Sequence, residues 1–391
     1  MHLPRLIVVF TLLIVAAWGT ETAQAAYPAA QNGRIVFDRI VNGNSHVFVM
    51  NADGSSPVDL SPGDTKGDFE PSFSPNGRSI VFTRALNPDG TYHLFTMKPD
   101  GTSAVDLTPG LQGAGTATYS PDGKQIAFAM DINPNLMSGL YSIAIMNADG
   151  SGITDLTPSN SGFELGPDFS PDGTKLVFER SEGTDGALYT INPDGSGAVR
   201  LTPSGNTYDE RPAFSPTGTQ LAWARDQDLT APPQGFDIYV GDTALGGATD
   251  VTPGGPHAYK LDPSFSPDGT KIAYMAYDPM ADQEIFVSPV SGGGSFADLS
   301  PLANPRDDWP RWEYIYMCAK RRATIVGDDG PEVIKGTKRA DVIVGNGGND
   351  RIKGKGGNDR ICGGRGRDRL IGGAGRKDRL VGGPGKDKTK P

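Results

Sequence analysis

Short apolar runs separated by turn-forming residues dominate the chain, and they recur. Ile80-Val81-Phe82, Ile126-Ala127-Phe128, Leu176-Val177-Phe178, Leu221-Ala222-Trp223 and Ile272-Ala273-Tyr274 are β-branched or aromatic and short, the character of buried strands. Each follows one kind of phrase: Phe73-Ser74-Pro75-Asn76-Gly77, Tyr119-Ser120-Pro121-Asp122-Gly123, Phe169-Ser170-Pro171-Asp172-Gly173, Phe214-Ser215-Pro216-Thr217-Gly218 and Phe265-Ser266-Pro267-Asp268-Gly269, spaced 45 to 51 residues apart. A second phrase, as in Asn51-Ala52-Asp53-Gly54, Pro99-Asp100-Gly101, Asn147-Ala148-Asp149-Gly150 and Asn192-Pro193-Asp194-Gly195, fades in the last two repeats. A third closes every unit: Leu60-Ser61-Pro62, Leu107-Thr108-Pro109, Leu156-Thr157-Pro158, Leu201-Thr202-Pro203, Val251-Thr252-Pro253 and Leu299-Ser300-Pro301. Proline presets φ, aspartate bonds back to the backbone, and glycine takes the positive φ that ends a turn. Each unit is thereby predicted to hold four strands, and a period of this length marks a repeat architecture.

The aromatic-Ser-Pro-Asp-Gly and Met-Asn-Ala-Asp-Gly phrases resemble the TolB-type propeller repeat from about residue 32 to 314. The resemblance implies an all-β, six-bladed β-propeller closed by a split blade. Asn32-Gly33-Arg34-Ile35-Val36-Phe37 begins in mid-unit without a first strand, and Asp308-Trp309-Pro310-Arg311-Trp312 supplies it, with Trp312 in the aromatic position. Such closure leaves no long free sheet edge. In this family the first strand of each blade lines a channel, which would place Glu70, Glu164, Glu210, Asp262 and Asp308 at an acidic rim. Thr116 to Thr118 stand there in another unit, so the ring is incomplete. A cation or a basic peptide would suit such a rim; the competing expectation is that these carboxylates accept N–H bonds from the neighbouring blade and shape the turn.

Beyond Cys318 the period falls to nine. Glycines recur at Gly327, Gly336, Gly345, Gly354, Gly363 and Gly372, then at Gly382 after a one-residue slip. Five residues on stands an acid, Glu332, Asp341, Asp350, Asp359 and Asp368, then Asp378 and Asp387 across the slip. Two further on stands an aliphatic: Ile334, Ile343, Ile352, Ile361, Leu370 and Leu380. This pattern resembles the hemolysin-type RTX calcium repeat. The resemblance implies a short parallel β-roll whose glycine turns present carbonyls and carboxylates to Ca²⁺, a hard cation that suits oxygen ligands. Expected ligands are Asp341, Asp350, Asp359, Asp368, Asp378, Asn349, Asn358, Gly347 and Gly356, with Asp341 facing Asp359, Asp350 facing Asp368, and Asp359 facing Asp378. Arg351, Arg360, Arg369 and Arg379 directly follow the proposed ligands. Alternation points them outward, yet their field lowers affinity for a cation. The alternative is a metal-free roll held by Asp–Arg ladders, or a tail that is disordered in calcium-free buffer.

Composition adds a compartment. Arg5, the thirteen-residue stretch Leu6 to Trp18 and Ala23-Gln24-Ala25 read as a secretory signal peptide over residues 1–25. That stretch is too short to span a bilayer, which takes about 20 residues, and no later segment suffices. The expected domains are a propeller over 26–317 and a repeat tail over 318–391. Cys318 and Cys362, the two cysteines, fit one disulfide in an oxidising compartment and would staple the tail to the body. From Ala319 onward stand 19 of the 36 basic residues but 9 of the 46 acidic ones, so an acidic body carries a basic tail. For an exported protein the tail points to an anionic cell-wall polymer, or to its own acidic body, before nucleic acid.

Four histidines, His2, His46, His93 and His257, show no metal-ligand spacing, and neither a Gly-x-Ser-x-Gly elbow nor a phosphate-binding glycine loop is present. The expectation is a secreted or periplasmic, non-enzymatic scaffold that binds an envelope or extracellular protein, with calcium as cofactor of the tail. The alternative is a propeller hydrolase or lyase acting on extracellular glycans or peptides. Raised, converging channel carboxylates would favour the enzyme, and solvent-facing, hydrogen-bonded ones the scaffold.

Overall fold

The structure is a computed structural model that describes residues 31–391 apart from 64, 87–90, 133–139, 159–161, 183–184, 204–206, 227–234, 256, 279–282, 294, 301–305, 319–320, 328–330 and 376. The expected signal peptide, residues 1–25, lies outside the described residues. Every regular element among them is a strand, and no helix is long and apolar enough to cross a membrane.

Six four-stranded antiparallel sheets form the blades. Blade 1 is the split one: Asp307–Ile315 supplies the inner strand beside Gln31–Val41, Asn44–Met50 and Val58–Asp59. Blades 2 to 6 begin on the inner strands Asp68–Phe73, Ala114–Tyr119, Phe163–Phe169, Tyr208–Phe214 and Tyr259–Phe265, each followed in order by its three outer strands. The six-bladed all-β propeller expected from the repeat is therefore present. Its core is the set of spaces between blades. Phe37, Phe82, Phe128, Phe178, Trp223 and Tyr274, one from each second strand, are fully buried. Each apolar cluster joins two neighbouring blades, as when Ile35 and Phe37 of blade 1 pack on Ala273 and Ile285 of blade 6.

The three repeated phrases have separate physical tasks. In the first, the serine Oγ accepts the N–H five residues on, at 2.9 to 3.0 Å for Ser74, Ser120, Ser170, Ser215 and Ser266, so the turn closes on itself. In the third, the buried hydroxyl of Ser61, Thr108, Thr157, Thr202, Thr252 or Ser300 accepts a third-strand N–H at 2.9 to 3.1 Å, satisfying a donor that burial would otherwise orphan. The second phrase joins the blades. A Cβ at Gly54, Gly101 or Gly150, all at positive φ, would lie 2.3 to 2.5 Å from the carbonyl oxygen of Leu299, Leu60 or Leu107 of the preceding blade.

The tail winds into two parallel sheets back to back. One holds Ile325–Val326, Val342–Val344, Arg360–Cys362 and Arg379–Val381; the other holds Val333–Lys335, Arg351–Lys355, Arg369–Gly373 and Lys388–Lys390. Ile334, Ile343, Ile352, Ile361 and Leu370 are buried between them, with Ile325 and Leu380 at the ends. Coils stack so closely that a Cβ at Gly336 or Gly345 would fall 2.4 or 2.3 Å from the Gly354 or Gly363 carbonyl oxygen of the next coil. That steric limit explains the glycine period.

Cys318 and Cys362 form a disulfide with Cα atoms 5.7 Å apart, closing a sequence separation of 44. It ties the first sheet of the roll to the end of the propeller, where Tyr316 and Ala323 pack against Val342, Val344 and Val381. Arg78 of a blade turn also donates to the Thr324 carbonyl, and Arg322 pairs with Glu313 of the closing strand. In the chain-entropy account, constraining a loop of this length stabilises by about 4 kcal/mol. Cys362→Ser is expected to leave the propeller's melting transition in place and to make residues beyond Cys318 markedly more sensitive to limited proteolysis.

Candidate functional site

Every inner strand carries a bulge at one level of the channel, where its pairing with the second strand skips a register. The bulge residue has positive φ in all six blades: Trp309, Glu70, Thr116, Gly166, Arg211 and Asp262. Five of the six precede proline, Pro310, Pro71, Pro167, Pro212 and Pro263, which has no N–H to give the ladder. Five non-glycine residues held in this conformation, each costing of order 1 kcal/mol or more, mark the level as a place where the fold stores strain.

The five acids expected at the rim come from three positions rather than one. Glu70 and Asp262 are bulge residues. Glu210 and Asp308 stand one place earlier. Glu164 stands two places earlier, outside the ring: its buried carboxylate takes Arg180 at 2.5 Å and the hydroxyl of Thr157. It belongs to a recurrent pair that includes Asp68–Arg84 at 2.6 Å, Asp209–Arg225 at 2.6 Å and Asp307–Arg39 at 2.5 Å. Each of these arginines also lies over two aromatic rings of its blade, as Arg84 does over Phe82 and Phe95 at 5.2 and 5.0 Å. A Phe/Trp-x-Arg spacing at Phe37, Phe82, Phe178 and Trp223 carried this signal in the sequence and was not read there.

Three further carboxylates that the sequence analysis missed, Asp38, Asp168 and Glu179, complete the channel. Several carboxylates do accept N–H groups of the next blade: Asp38 from Glu70 at 3.2 Å, Glu70 from Thr116 at 2.7 Å, Glu179 from Arg211 at 2.8 Å and Asp168 from Phe214 at 2.7 Å. At the centre the Arg211 guanidinium stacks 4.5 Å from Trp309 and lies 3.7 Å from both Glu179 and Asp262. That separation is a charge pairing without a hydrogen bond. Arg211 Nε and Nη1 and Asp262 Oδ1 are buried with no hydrogen-bond partner. Burial dominates the titration of Glu210, Asp38, Asp168 and Asp308. It pushes Glu210 up to about 8, helped by the Glu179 charge, and Asp38 up to about 7 against a Ser45 hydrogen bond. Asp168 rises to about 6, and Asp308 rises well above its usual range through burial and the charges of Asp262 and Asp38.

Toward the ends of the inner strands the channel opens into a cavity of about 450 Å³. The aromatic of each repeat phrase, Phe73, Tyr119, Phe169, Phe214, Phe265 and Trp312, forms its collar, with Asp168 and Arg311 deeper and Asn346 and Arg365 of the tail across it. The roll thus covers this mouth of the propeller.

In the tail, the expected partners two repeats apart do meet, through a different bond. Asp341, Asp350 and Asp359 donate their N–H groups to Oδ1 of Asp359, Asp368 and Asp378, each at 2.9 Å. Asn349 and Asn358 accept from the N–H groups of Arg367 and Lys377 at 2.8 and 3.2 Å, so their oxygens serve the coil-to-coil ladder. Gly347 bridges to Arg365, and Gly356 donates to the Thr337 carbonyl. What remains is a row of buried carboxylate oxygens without a hydrogen-bond partner, Oδ2 of Asp359, Asp368 and Asp378. Burial raises the pKa of Asp359 and Asp368. No group of three or more acidic, histidine or cysteine side chains is arranged to hold a metal ion among the described residues. A cation here would therefore take one carboxylate oxygen and complete its shell with turn carbonyls, and the orphaned oxygens fit that role.

A family model described as the TolB beta propeller domain matches residues 13–203 and 110–254. The chain belongs to that family. A second model, the RTX calcium-binding nonapeptide repeat, matches residues 326–361 and 354–388, so the TolB-type propeller is followed by RTX repeats. Similar solved structures include TolB from Acinetobacter baumannii, at 19% identity and a TM-score of 0.58 over 72% of this chain and 66% of that one. A putative TolB from Agrobacterium tumefaciens aligns at 16% identity and 0.55 over 73% and 99%. Kuenenia stuttgartiensis hydrazine synthase aligns at 12% and 0.57 over 75% and 48%. At these identities the likeness is one of fold. This chain therefore spans slightly less than two thirds of the Acinetobacter protein's length and about half of the hydrazine synthase chain. A search of curated proteins finds no match.

The raised carboxyls give the TolB-type propeller a pH dependence of defined sign. Unfolded, Glu210, Asp38 and Asp168 lose their protons near 4; folded, they hold them to about 8, 7 and 6. The folded state binds more protons between those limits, so its stability falls as pH rises through that window. Melting temperature is expected to drop by a few degrees from about pH 5 to about pH 8.5, and Glu210→Gln to flatten the upper part of that slope.

Proposed function

We propose that this protein is an exported, non-enzymatic interaction scaffold of the cell envelope, whose acidic channel takes a cationic segment of a protein partner. The observation that carries this reading is the channel itself. Asp38, Glu70, Asp168, Glu179, Glu210, Asp262 and Asp308 converge there against two guanidiniums, Arg211 and Arg311. A lysine or arginine side chain entering it would pull the raised pKa values down and displace protons. Arg211, charge-paired but short of hydrogen bonds, leaves donors for a carbonyl of the same segment. Binding of a Lys/Arg-rich peptide, followed by fluorescence anisotropy, is expected to tighten from about pH 6 to about pH 8 and to weaken roughly tenfold or more on Asp262→Asn. Equal affinity for an acidic peptide of the same length would refute the reading.

Calcium is the second element of this proposal. It would be held by Oδ2 of Asp359, Asp368 and Asp378 with turn carbonyls, where it supplies positive charge to a row of buried carboxylates. In the full-length chain, calcium is expected to raise the tail's melting transition and protease resistance, and EDTA to reverse both. Asp359→Asn with Asp368→Asn keeps the ladder oxygens but replaces the orphaned ones with amide nitrogen, so most of the calcium response should go while the calcium-free melt changes little.

The raised carboxyls favour a second reading, a hydrolase or lyase in which protonated Glu210 or Asp308 acts as general acid. Turnover of an extracellular glycan or peptide that Glu210→Gln abolishes would establish it in place of the scaffold.

A further inference from the structure

The two sheets of the tail do not have equivalent outer faces. On the first, the outward column Val344, Cys362 and Val381 is covered by Tyr316, Cys318 and Ala323, on the side that carries the disulfide. On the second, the outward residues form two columns running along the roll. One contains Val333, Arg351, Arg369 and Lys388, and the other Lys335, Lys353, Ile371 and Lys390, each paired in register with the next. All are exposed except Ile371, which is half-buried. None of the four strands carries an acid, and among the described residues none of the six cations makes an ion pair. Parallel strands set successive cations about 4.8 Å apart within a column, and two residues along a strand separate the columns by about 6.6 Å. Like charges directly opposite one another oppose folding. The roll thus maintains a cationic grid whose self-repulsion a bound counter-charge relieves.

We infer that this face binds a linear anionic polysaccharide with one carboxylate per sugar, lying along the columns. The surface is flat and its charges repeat regularly. Successive carboxylates of an extended β-linked uronate ribbon alternate between its two edges, so they meet cations of the two columns in turn, Lys353, Arg369 and Lys390 with Arg351 beside them, the arginines able to hold a carboxylate with both nitrogens. A duplex nucleic acid is a cylinder and touches a plane along one line. A bilayer needs a band of apolar anchors, and Val333 is the exposed apolar residue on this face. The inference rests on the exported setting proposed above but on neither the channel nor calcium, so its failure leaves both standing.

The test uses full-length protein in calcium-containing buffer and titrates a short soluble oligomannuronate by calorimetry at several salt concentrations. Binding that weakens steadily with salt is expected, and Arg351→Glu with Arg369→Glu should weaken it about tenfold or more. Lys98→Glu with Lys271→Glu, the same charge change at exposed propeller positions, should weaken it less than about threefold. Circular dichroism and retention of the disulfide check that the roll is folded; if the glutamates unfold it, Arg351→Gln with Arg369→Gln should show the same site dependence with a smaller loss. The proposal is overturned if the oligomannuronate does not bind, if both pairs weaken binding equally, or if polyphosphate, duplex DNA or phosphatidylglycerol vesicles bind as tightly.

Discussion

The ladder between Gln31–Val41 and Asp307–Ile315 is the contact on which the rest of the molecule depends. It joins residues from opposite ends of the propeller sequence and turns a row of blades into a ring without a free inner edge. Its ion pairs are placed to hold it: Arg39 meets Asp307 at 2.5 Å, and Arg34 meets the buried Glu313 at 2.9 Å. Burial alone would raise the Glu313 carboxyl, but the bonds and charge of Arg34, with Arg322, outweigh it and keep it below its usual range. Asp308 and Trp309 enter the channel, and Cys318 reaches the roll, because this strand closes the ring where it does.

Closure also creates the electrostatic character of the channel. Bulges aim Glu70, Arg211, Asp262 and Trp309 into a narrow, poorly hydrated space, where carboxylates cannot all be charged at once. Protons then stand in for counter-ions. Asp262 and Asp308 share a hydrogen bond, Glu210 keeps its proton near neutral pH, and Arg211 serves Glu179 and Asp262 together. In the scaffold reading proposed above, an incoming cation would release protons from such a site and so couple recognition to pH without a dedicated histidine.

The roll solves a different problem. Its apolar core is one aliphatic residue wide, so the coils rely on backbone ladders, on the Asp N–H to Asp Oδ1 bonds between them, and on the disulfide. One sheet gains a covering from the propeller; the other remains free, and its outward positions are cationic. Position relative to the propeller, rather than the nonapeptide pattern, separates the docked face from the free one.

The sequence by itself determined the repeat, the blade count, the split closing blade, the nine-residue roll and its aliphatic core. It could do so because those features rest on local turn chemistry and on strand alternation, both written in neighbouring residues. The Cys318–Cys362 pair was also legible, two cysteines permitting one bond. The composition of the channel was decided by tertiary structure. Glu164 was grouped with Asp262, yet it stands five residues before its repeat aromatic, Phe169, where Asp262 stands three before Phe265; that offset was legible in the sequence, and the structure shows that it separates a buried arginine partner from a channel wall. Asp38, Asp168 and Glu179 gave no sign in sequence, because they lie on strands whose channel-facing side depends on how neighbouring blades stack. Likewise Asn349 and Asn358 carry the spacing of ligands, but coil stacking commits their oxygens to N–H groups eighteen or nineteen residues away.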